Sequence, residues 1–346
     1  MANVEAKGLT SFDDPILTEN RKRGDDEATA GYQAAGSLIV ARPHVRATDW
    51  LLLVFLSILW GGSFFFAAVA VRDIPPLTLV LARVALAAML LAPVARLLGL
   101  SLPRSFAAWR PYIVLGLLNN LVPFSLIVYG QTRIASGLAS VLNATTPLFT
   151  LVVARIFAGE PLTAAKLGGV ALGVAGVGVL MGPDALSADA AGILGMLCVL
   201  GAALSYGLSA LWMRRLRGTP PLVSAEAQLL CSTVMLLPLA GVVDRFWALP
   251  MPGARTIAAV LGLAAFSTAL AYIVFFRISA TAGPSNVMLV TLLIPVSASA
   301  LGVFVLGERL APHQIAGALV IASGLAVIDG RLLGWMSRRQ PSRGTG

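Results

Sequence analysis

Two prolines lie near the middle of long apolar stretches, where a small solute could be bound. Pro147 and Pro295 are 148 residues apart. Proline has no N–H group, so in a helix it frees the carbonyl four residues earlier, here those of Asn143 and Thr291. Two such carbonyls beside polar side chains would form a polar patch for reversible binding. Alternatively, each proline only kinks its helix, and Ser, Thr or water satisfies the carbonyl.

Arg83 is a basic residue well inside an apolar stretch. An arginine at the centre of a bilayer costs about 2.5–3.5 kcal/mol on insertion scales, so its side chain should face the bundle interior or reach the membrane surface. Two roles remain open for it. It either bonds helix ends and loop carbonyls, or it attracts a carboxylate of a substrate.

A Gly-Glu pair follows each of the two prolines at twelve residues: Gly159 with Glu160, and Gly307 with Glu308. Carboxylates are favourable near helix N-termini, which carry partial positive charge. We therefore expect both glutamates to cap the helices that follow them. A gating ion pair is the alternative.

Other polar and aromatic residues inside apolar stretches are candidates for a substrate pathway. In lipid such groups either bond to neighbouring helices or face water. Singly, each is better explained by helix packing. Together with Asn143 they occupy the first, third, fourth, sixth, eighth and ninth apolar stretches and leave the fifth and tenth with few polar groups. The candidates are Trp60, Ser63, Asn119, Asn120, Tyr206, Ser209, Tyr272 and Asn286.

The sequence argues against an enzyme or a metalloprotein. It contains only two histidines, His44 and His313, and we find no Ser/His/Asp grouping, zinc-ligand spacing or phosphate-binding glycine loop. Cys198 and Cys231 lie in apolar stretches and are expected to be small buried hydrophobes. We expect no cofactor and no metal.

The elements that must position these residues are membrane helices. Hydrophobic residues make up 58% of the 346 and charged residues 12%, far from the roughly 25% charged of a soluble domain; the mean hydropathy is +0.86. Ten stretches approach the ~20 residues that span a bilayer. They cover 48–70, 77–96, 109–129, 134–156, 163–182, 190–212, 222–243, 255–275, 283–305 and 312–330.

Basic residues support ten crossings with both termini in the cytoplasm. Counting Arg42 and Arg46, which directly precede the first stretch, fifteen Lys and Arg residues fall on the inner side of this topology and five on the outer side. The formal charge of +9 is therefore attributed to membrane topology and not to nucleic-acid binding. Residues 1–47 are predicted to be a disordered cytoplasmic tail, and 331–346 a basic cytoplasmic tail.

The chain is predicted to be an all-α polytopic membrane protein with ten transmembrane helices in a 5+5 inverted repeat. The repeats are 48–182 and 190–330. Because five is odd, the second repeat enters the membrane from the opposite side, which places Glu160 inside and Glu308 outside. Glycines in the fifth and tenth segments favour close packing as a scaffold or a homodimer contact: Gly169, Gly173, Gly178, Gly182, Gly317 and Gly324.

These residues resemble the EamA-type members of the drug/metabolite transporter superfamily. The matching marks are Trp60 with Gly61, Arg83, and Pro147 followed by Glu160, with their counterparts in the second half. The resemblance covers about 48–330. Two departures are Gln228 at the position that matches Arg83, and four extra residues between Arg277 and Pro295 relative to the first half.

The resemblance implies a carrier of small metabolites in a bacterial inner membrane, often an exporter of amino acids or related compounds. Its partners would be a small-molecule substrate and the lipid bilayer. A channel or a membrane sensor built on the same fold is the alternative function.

Overall fold

The computed structural model of the protein describes residues 47–181, 190–216, 218–281 and 290–329, and this part of the chain is helical without a strand. In the first half α1 is Ala47–Ala70, α2 Pro76–Leu97, and α5 Ala164–Met181. Between them, α3 joins Phe106–Gly116, a π-helix at Leu117–Leu121 and Val122–Gln131, and α4 consists of Ser136–Asn143 and Thr146–Ala158.

The second half repeats this order. It comprises α6 at Ala190–Met213, α7 at Pro221–Asp244, α9 at Val290–Leu306 and α10 at Pro312–Asp329. Between α7 and α9, α8 joins Ala254–Ala264, a π-helix at Ala265–Leu270, and Ala271–Thr281. Short 3₁₀ turns follow α6, at Arg214–Leu216, and α7, at Phe246–Ala248.

The expected ten membrane crossings are supported in part. Seven helices are long and apolar enough to cross a membrane, and three further apolar helices are shorter: Ala164–Leu180, Leu293–Leu306 and Pro312–Ile328. An eighteen-residue helix such as α5 is about 27 Å long, at the lower end of what the hydrocarbon layer requires. The number of ten crossings therefore stays a prediction.

The helix bounds themselves show the internal repeat. Phe106–Gly116 and Ala254–Ala264 start and end 148 residues apart, and Ala164–Met181 and Pro312–Asp329 do so too. The two π-helices also begin 148 residues apart. From α3 to α5 the offset to the second half is 148 residues. Arg277 therefore corresponds to Tyr129 and not to Arg133, which removes the expected four-residue insertion before Pro295.

The contacts between helices also repeat from one half to the other. The helix α1 packs on α8 and α9, and its counterpart α6 packs on α3 and α4. In the same way α2 packs on α8, and its counterpart α7 packs on α3. Equivalent helices also pack together: α2 with α7, α4 with α9, and α5 with α10. These main contacts thus recur between the halves, as expected for two halves related by a pseudo-two-fold axis.

The glycines of α5 and α10 pack these helices against each other within one chain. A Cβ atom on Gly169 would lie 2.7 Å from the Gly324 carbonyl oxygen, and one on Gly324 would lie 2.6 Å from the Gly169 oxygen. A Cβ on Gly176 would likewise lie 3.0 Å from the Gly317 oxygen. These glycine faces are therefore not free to contact another protomer.

Two of the glycines expected on the same face behave differently. Gly173 faces Leu148 of α4, and Gly178 has open space around it. Gly182 lies outside the residues that the structure describes.

Candidate functional site

Arg83 lies buried on α2, with 6% of its surface exposed, and it contacts both halves of the chain. Its Nε donates a hydrogen bond of 3.0 Å to Thr268 Oγ1 on α8. Its guanidinium carbon lies 3.6 Å from the ring centroid of Phe124 on α3. The side chain therefore faces the bundle interior, and among the described residues its hydrogen bond goes to Thr268 and not to a helix end or a loop carbonyl.

The π-helix of α8 positions Thr268. The Thr268 hydroxyl donates to the carbonyl of Leu263, five residues earlier, at 2.9 Å, while it accepts from Arg83. A π-helix shifts the following residues around the helix axis and is frequent at functional sites. The adjacent Ser267 hydroxyl is buried and has no hydrogen-bond partner among the described residues.

The other half of the chain builds a matching contact without a charge. Gln228 on α7 occupies the position equivalent to Arg83, and its Oε1 accepts a 2.8 Å hydrogen bond from Asn119 Nδ2 in the π-helix of α3. The Asn119 Oδ1 accepts from Ser209 on α6 at 3.1 Å. Asn120 is fully buried and donates to Ser232 of α7 at 3.1 Å.

Aromatic side chains surround these polar groups. Phe124 and Tyr272 are 148 residues apart, and the Tyr272 hydroxyl lies 3.5 Å from Asn120 Oδ1. Tyr206 and Tyr272 both lie near enough to Arg83 to sense its charge. Tyr206 also packs against both large apolar clusters of the bundle, which places it between them.

Two other candidates from α1 lie partly buried. Trp60 packs against Phe275 of α8, with ring centroids 5.5 Å apart. Ser63 is half-buried, and no polar contact among the described residues brings it into the group around Arg83. Asn286 lies outside the described residues.

The two prolines have different effects. The first part of α4 ends at Asn143 and the second begins at Thr146, so the helix is broken just before Pro147. Thr146 Oγ1 donates to the Asn143 carbonyl at 2.7 Å, so this carbonyl is not free. This contact agrees with the alternative in which a Ser, a Thr or water satisfies the carbonyl. The Asn143 side-chain Oδ1 is buried without a partner among the described residues.

Pro295 lies inside α9, which is continuous from Val290 to Leu306. The expected break is therefore not seen at this second proline. Thr291 is half-buried and takes part in an interaction of its own. The Asn143 carbonyl is occupied by Thr146, so the predicted pair of free carbonyls is not formed at Pro147, and the role of the Thr291 carbonyl stays a prediction.

Glu308 caps a helix, but not the helix that follows it. Its Oε1 accepts from the Ser136 N–H at 2.8 Å, and its Oε2 accepts from the Ser136 hydroxyl at 2.8 Å and the Gly137 N–H at 3.1 Å. These groups form the N-terminus of α4. The α10 terminus uses Gln314 instead, whose Oε1 accepts from the Ala311 N–H at 3.1 Å.

Glu160 forms an ion pair with Arg214, and both side chains are 40% exposed. The expected cap on α5 is supplied by Thr163, whose hydroxyl accepts from the Lys166 N–H at 3.3 Å. The hydrogen bond from Arg214 is the main reason that the pKa of the Glu160 carboxyl lies below its usual value.

A cavity of about 350 Å³ lies beside the Glu308 contact. It is lined by the end of α1, the connection between α3 and α4, and Glu308, with Arg72 and Gln131 among its polar residues. Gln131 Nε2 donates to the Phe64 carbonyl at 2.8 Å. Within the described ranges, no group of three or more His, Cys, Asp or Glu side chains could hold a metal ion.

The structure therefore gathers Arg83, Asn119, Asn120, Tyr206, Ser209 and Tyr272 into one buried polar core between the two halves. Sequence reasoning missed three members: Phe124, Ser232 and Thr268. It considered Gln228 only as a departure from the repeat. The 148-residue offset could have found Thr268, because that residue is the counterpart of Asn120.

Comparison with known proteins adds a family and a fold. The EamA-like transporter family matches the chain twice, at residues 48–182 and 193–329. The "Probable amino-acid metabolite efflux pump" of Escherichia coli K12 is 28% identical over 81% of this chain and 94% of its own length. The "Uncharacterized inner membrane transporter YedA" of the same strain is 26% identical, over 81% and 90%.

A solved crystal structure has the same fold. It superimposes with a TM-score of 0.58 at 19% identity, over 85% of this chain and 99% of the solved chain.

Proposed function

Because the chain belongs to the EamA-like transporter family, we propose that it is a secondary transporter that exports amino acids or related small metabolites by alternating access. The observation that carries this proposal is the buried polar core, to which both halves contribute through matched π-helices. The relative described as a probable amino-acid metabolite efflux pump supports the substrate class.

The proposed mechanism uses two inverted repeats, 48–182 and 190–330, each with five crossings. A site on the axis between inverted halves can open to either side when the halves exchange conformations. Helix pairings that recur between the halves support this arrangement. In this topology both tails, 1–47 and 331–346, lie in the cytoplasm.

The proposed location is a bacterial inner membrane. The apolar helices and the inner-membrane relative support it. A homodimer would use the lipid-facing sides of α5 and α10, since their glycine faces already pack within the chain.

Counterflow in proteoliposomes tests the proposed function. Vesicles loaded with one unlabelled L-amino acid are diluted into the same labelled amino acid, and the twenty standard amino acids are tested in turn. A transporter accumulates label transiently above its equilibrium level, because exchange requires alternating access. A channel equilibrates label without the transient excess, and a sensor moves none; either result would refute the proposal. Vesicles without protein provide the baseline.

A further inference from the structure

We propose that Arg83 binds the carboxylate of the transported solute, so that the protein selects zwitterions and monoanions over cations and uncharged molecules. This inference rests on the proposed function and adds the side chain that recognises the substrate. The group bound on the solute is its carboxylate, and the positive charge of Arg83 excludes cations.

The positive charge of Arg83 has no carboxylate partner among the described residues. A guanidinium has five N–H donors, and among the described residues Arg83 makes one hydrogen bond, from Nε to Thr268. Within the described ranges the ion pair is that of Arg214 with Glu160, so no carboxylate of these residues neutralises Arg83. A buried charge without a partner is costly. A carboxylate brought by the solute can accept from the two terminal nitrogens together, in the bidentate geometry that suits this pair.

The side chains around the Arg83 guanidinium are apolar or uncharged. The ring of Phe124 lies against the guanidinium, 3.6 Å from its carbon to the ring centroid. The other groups at Arg83 carry no formal charge: the Thr268 hydroxyl and the phenols of Tyr206 and Tyr272. Apolar and uncharged neighbours strengthen the attraction for an anion, because they exclude water without competing as counter-ions.

The two halves differ in charge at the position of Arg83. Arg83 and Gln228 occupy equivalent positions, and each reaches the π-helix of the other half, at Thr268 and Asn119. A two-fold site would otherwise treat the two ends of a solute alike. The single charge gives the site a direction: the carboxylate lies toward α2, and the remainder of the solute lies toward the uncharged pair on α7 and α3.

The test compares each amino acid with its carboxamide, which keeps the side chain and the amino group but lacks the carboxylate. Both compounds compete, unlabelled, against the labelled amino acid that gives the largest counterflow. Loss of a hydrogen-bonded charge pair corresponds to about 10- to 100-fold in affinity. We expect wild type to prefer the acid by that factor. Arg83→Gln should weaken the acid about 10- to 100-fold and change the amide by less than about threefold.

Three further variants separate recognition from folding. Arg83→Lys keeps the charge but loses the planar fork, so its preference should be intermediate. Thr268→Val removes the Nε contact and should keep the preference for the acid. The double variant Arg83→Gln with Gln228→Arg moves the charge to the equivalent position and should regain a preference for the acid. Each variant is first checked for a single gel-filtration peak and for wild-type helix content by circular dichroism.

The outcomes distinguish the two proposals. No counterflow with any amino acid in wild type would refute the transport function itself. Normal counterflow with equal affinity for acid and amide in wild type would leave transport intact and overturn the role of Arg83. Equal losses for acid and amide in a well-folded Arg83→Gln would also overturn it, since a purely structural arginine has that effect.

Discussion

Glu160 and Glu308 occupy equivalent positions in the repeat but hold different kinds of partner. Gly159 and Gly307, which precede them, both have positive φ values, 66° and 69°, and end α4 and α9 in the same way. The local turn is therefore repeated. The contact that follows is not, because Glu308 meets the helix terminus of α4 whereas Glu160 meets the exposed side chain of Arg214.

Glu308→Gln should destabilise the protein, and Glu160→Gln is its matched control. Glutamine keeps one acceptor oxygen but turns an NH₂ group toward amide donors at α4, so we expect a loss of about 1–3 kcal/mol in the free energy of unfolding. Glu160→Gln should remain close to wild type, because exposed ion pairs contribute little. Unfolding in mixed detergent micelles, followed by circular dichroism, measures both. Equal midpoints for the two variants would contradict the capping role of Glu308.

The Glu160 ion pair predicts a small pH dependence of stability. The hydrogen bond from Arg214 lowers the pKa of this carboxyl in the folded state, so its contribution is present above the usual glutamate pKa of about 4.3. The contribution is lost as the pH falls through the lowered folded value. Any stability difference between wild type and Glu160→Gln at pH 7 should therefore shrink on acidification. A difference that grows toward low pH would contradict the assignment.

Within helices, close packing decides which glycines matter. Gly168 and Gly169 are neighbours on α5, yet a Cβ on Gly168 meets nothing within 4 Å. A Cβ on Gly169 meets the Gly324 carbonyl oxygen at 2.7 Å. The same substitution at these two positions thus separates helix propensity from packing between α5 and α10.

Gly169→Ala should be less stable than Gly168→Ala by about 1–3 kcal/mol, the usual cost of overpacking. The gain in helix propensity from Gly to Ala, about 1 kcal/mol, is common to both variants and cancels in the comparison. Unfolding in mixed micelles gives the difference. If Gly169→Ala matched Gly168→Ala, then the backbones of α5 and α10 would not be in close contact.

The π-helices could not be predicted from the sequence. Hydrophobic periodicity identified the apolar stretches of α3 and α8, but one shifted hydrogen-bond register leaves no hydrophobic pattern of its own. The prolines show a related limit. The same residue type breaks α4 before Pro147 and leaves α9 continuous at Pro295, because the surrounding packing decides how a helix accommodates proline.

For the whole molecule, the duplicated apolar segments were readable from the sequence. The helix bounds and the family match both repeat along the chain. Which helices pack together was not readable, since contacts such as α2 with α7 join residues distant in sequence. The polar core depends on those contacts, so sequence reasoning found most of its residues without their partners.

The proposed inverted orientation of the repeats can be tested at two equivalent loops. Pro161 and Arg309 are both exposed and lie 148 residues apart, directly after Glu160 and Glu308. In an inverted repeat they lie on opposite sides of the membrane. Single cysteines are introduced at these positions after Cys198 and Cys231 are replaced by alanine. A membrane-impermeant maleimide should label Arg309→Cys in intact cells.

Pro161→Cys should be labelled only after the cells are permeabilised. Labelling of both cysteines in intact cells, or of neither, would mean that the halves have the same orientation. That result would exclude an odd number of crossings between the two loops, and with it the five-crossing repeat. A pattern with the sides exchanged would keep the inverted repeat but reverse the whole topology, and so would contradict only the assignment of the basic loops to the cytoplasm.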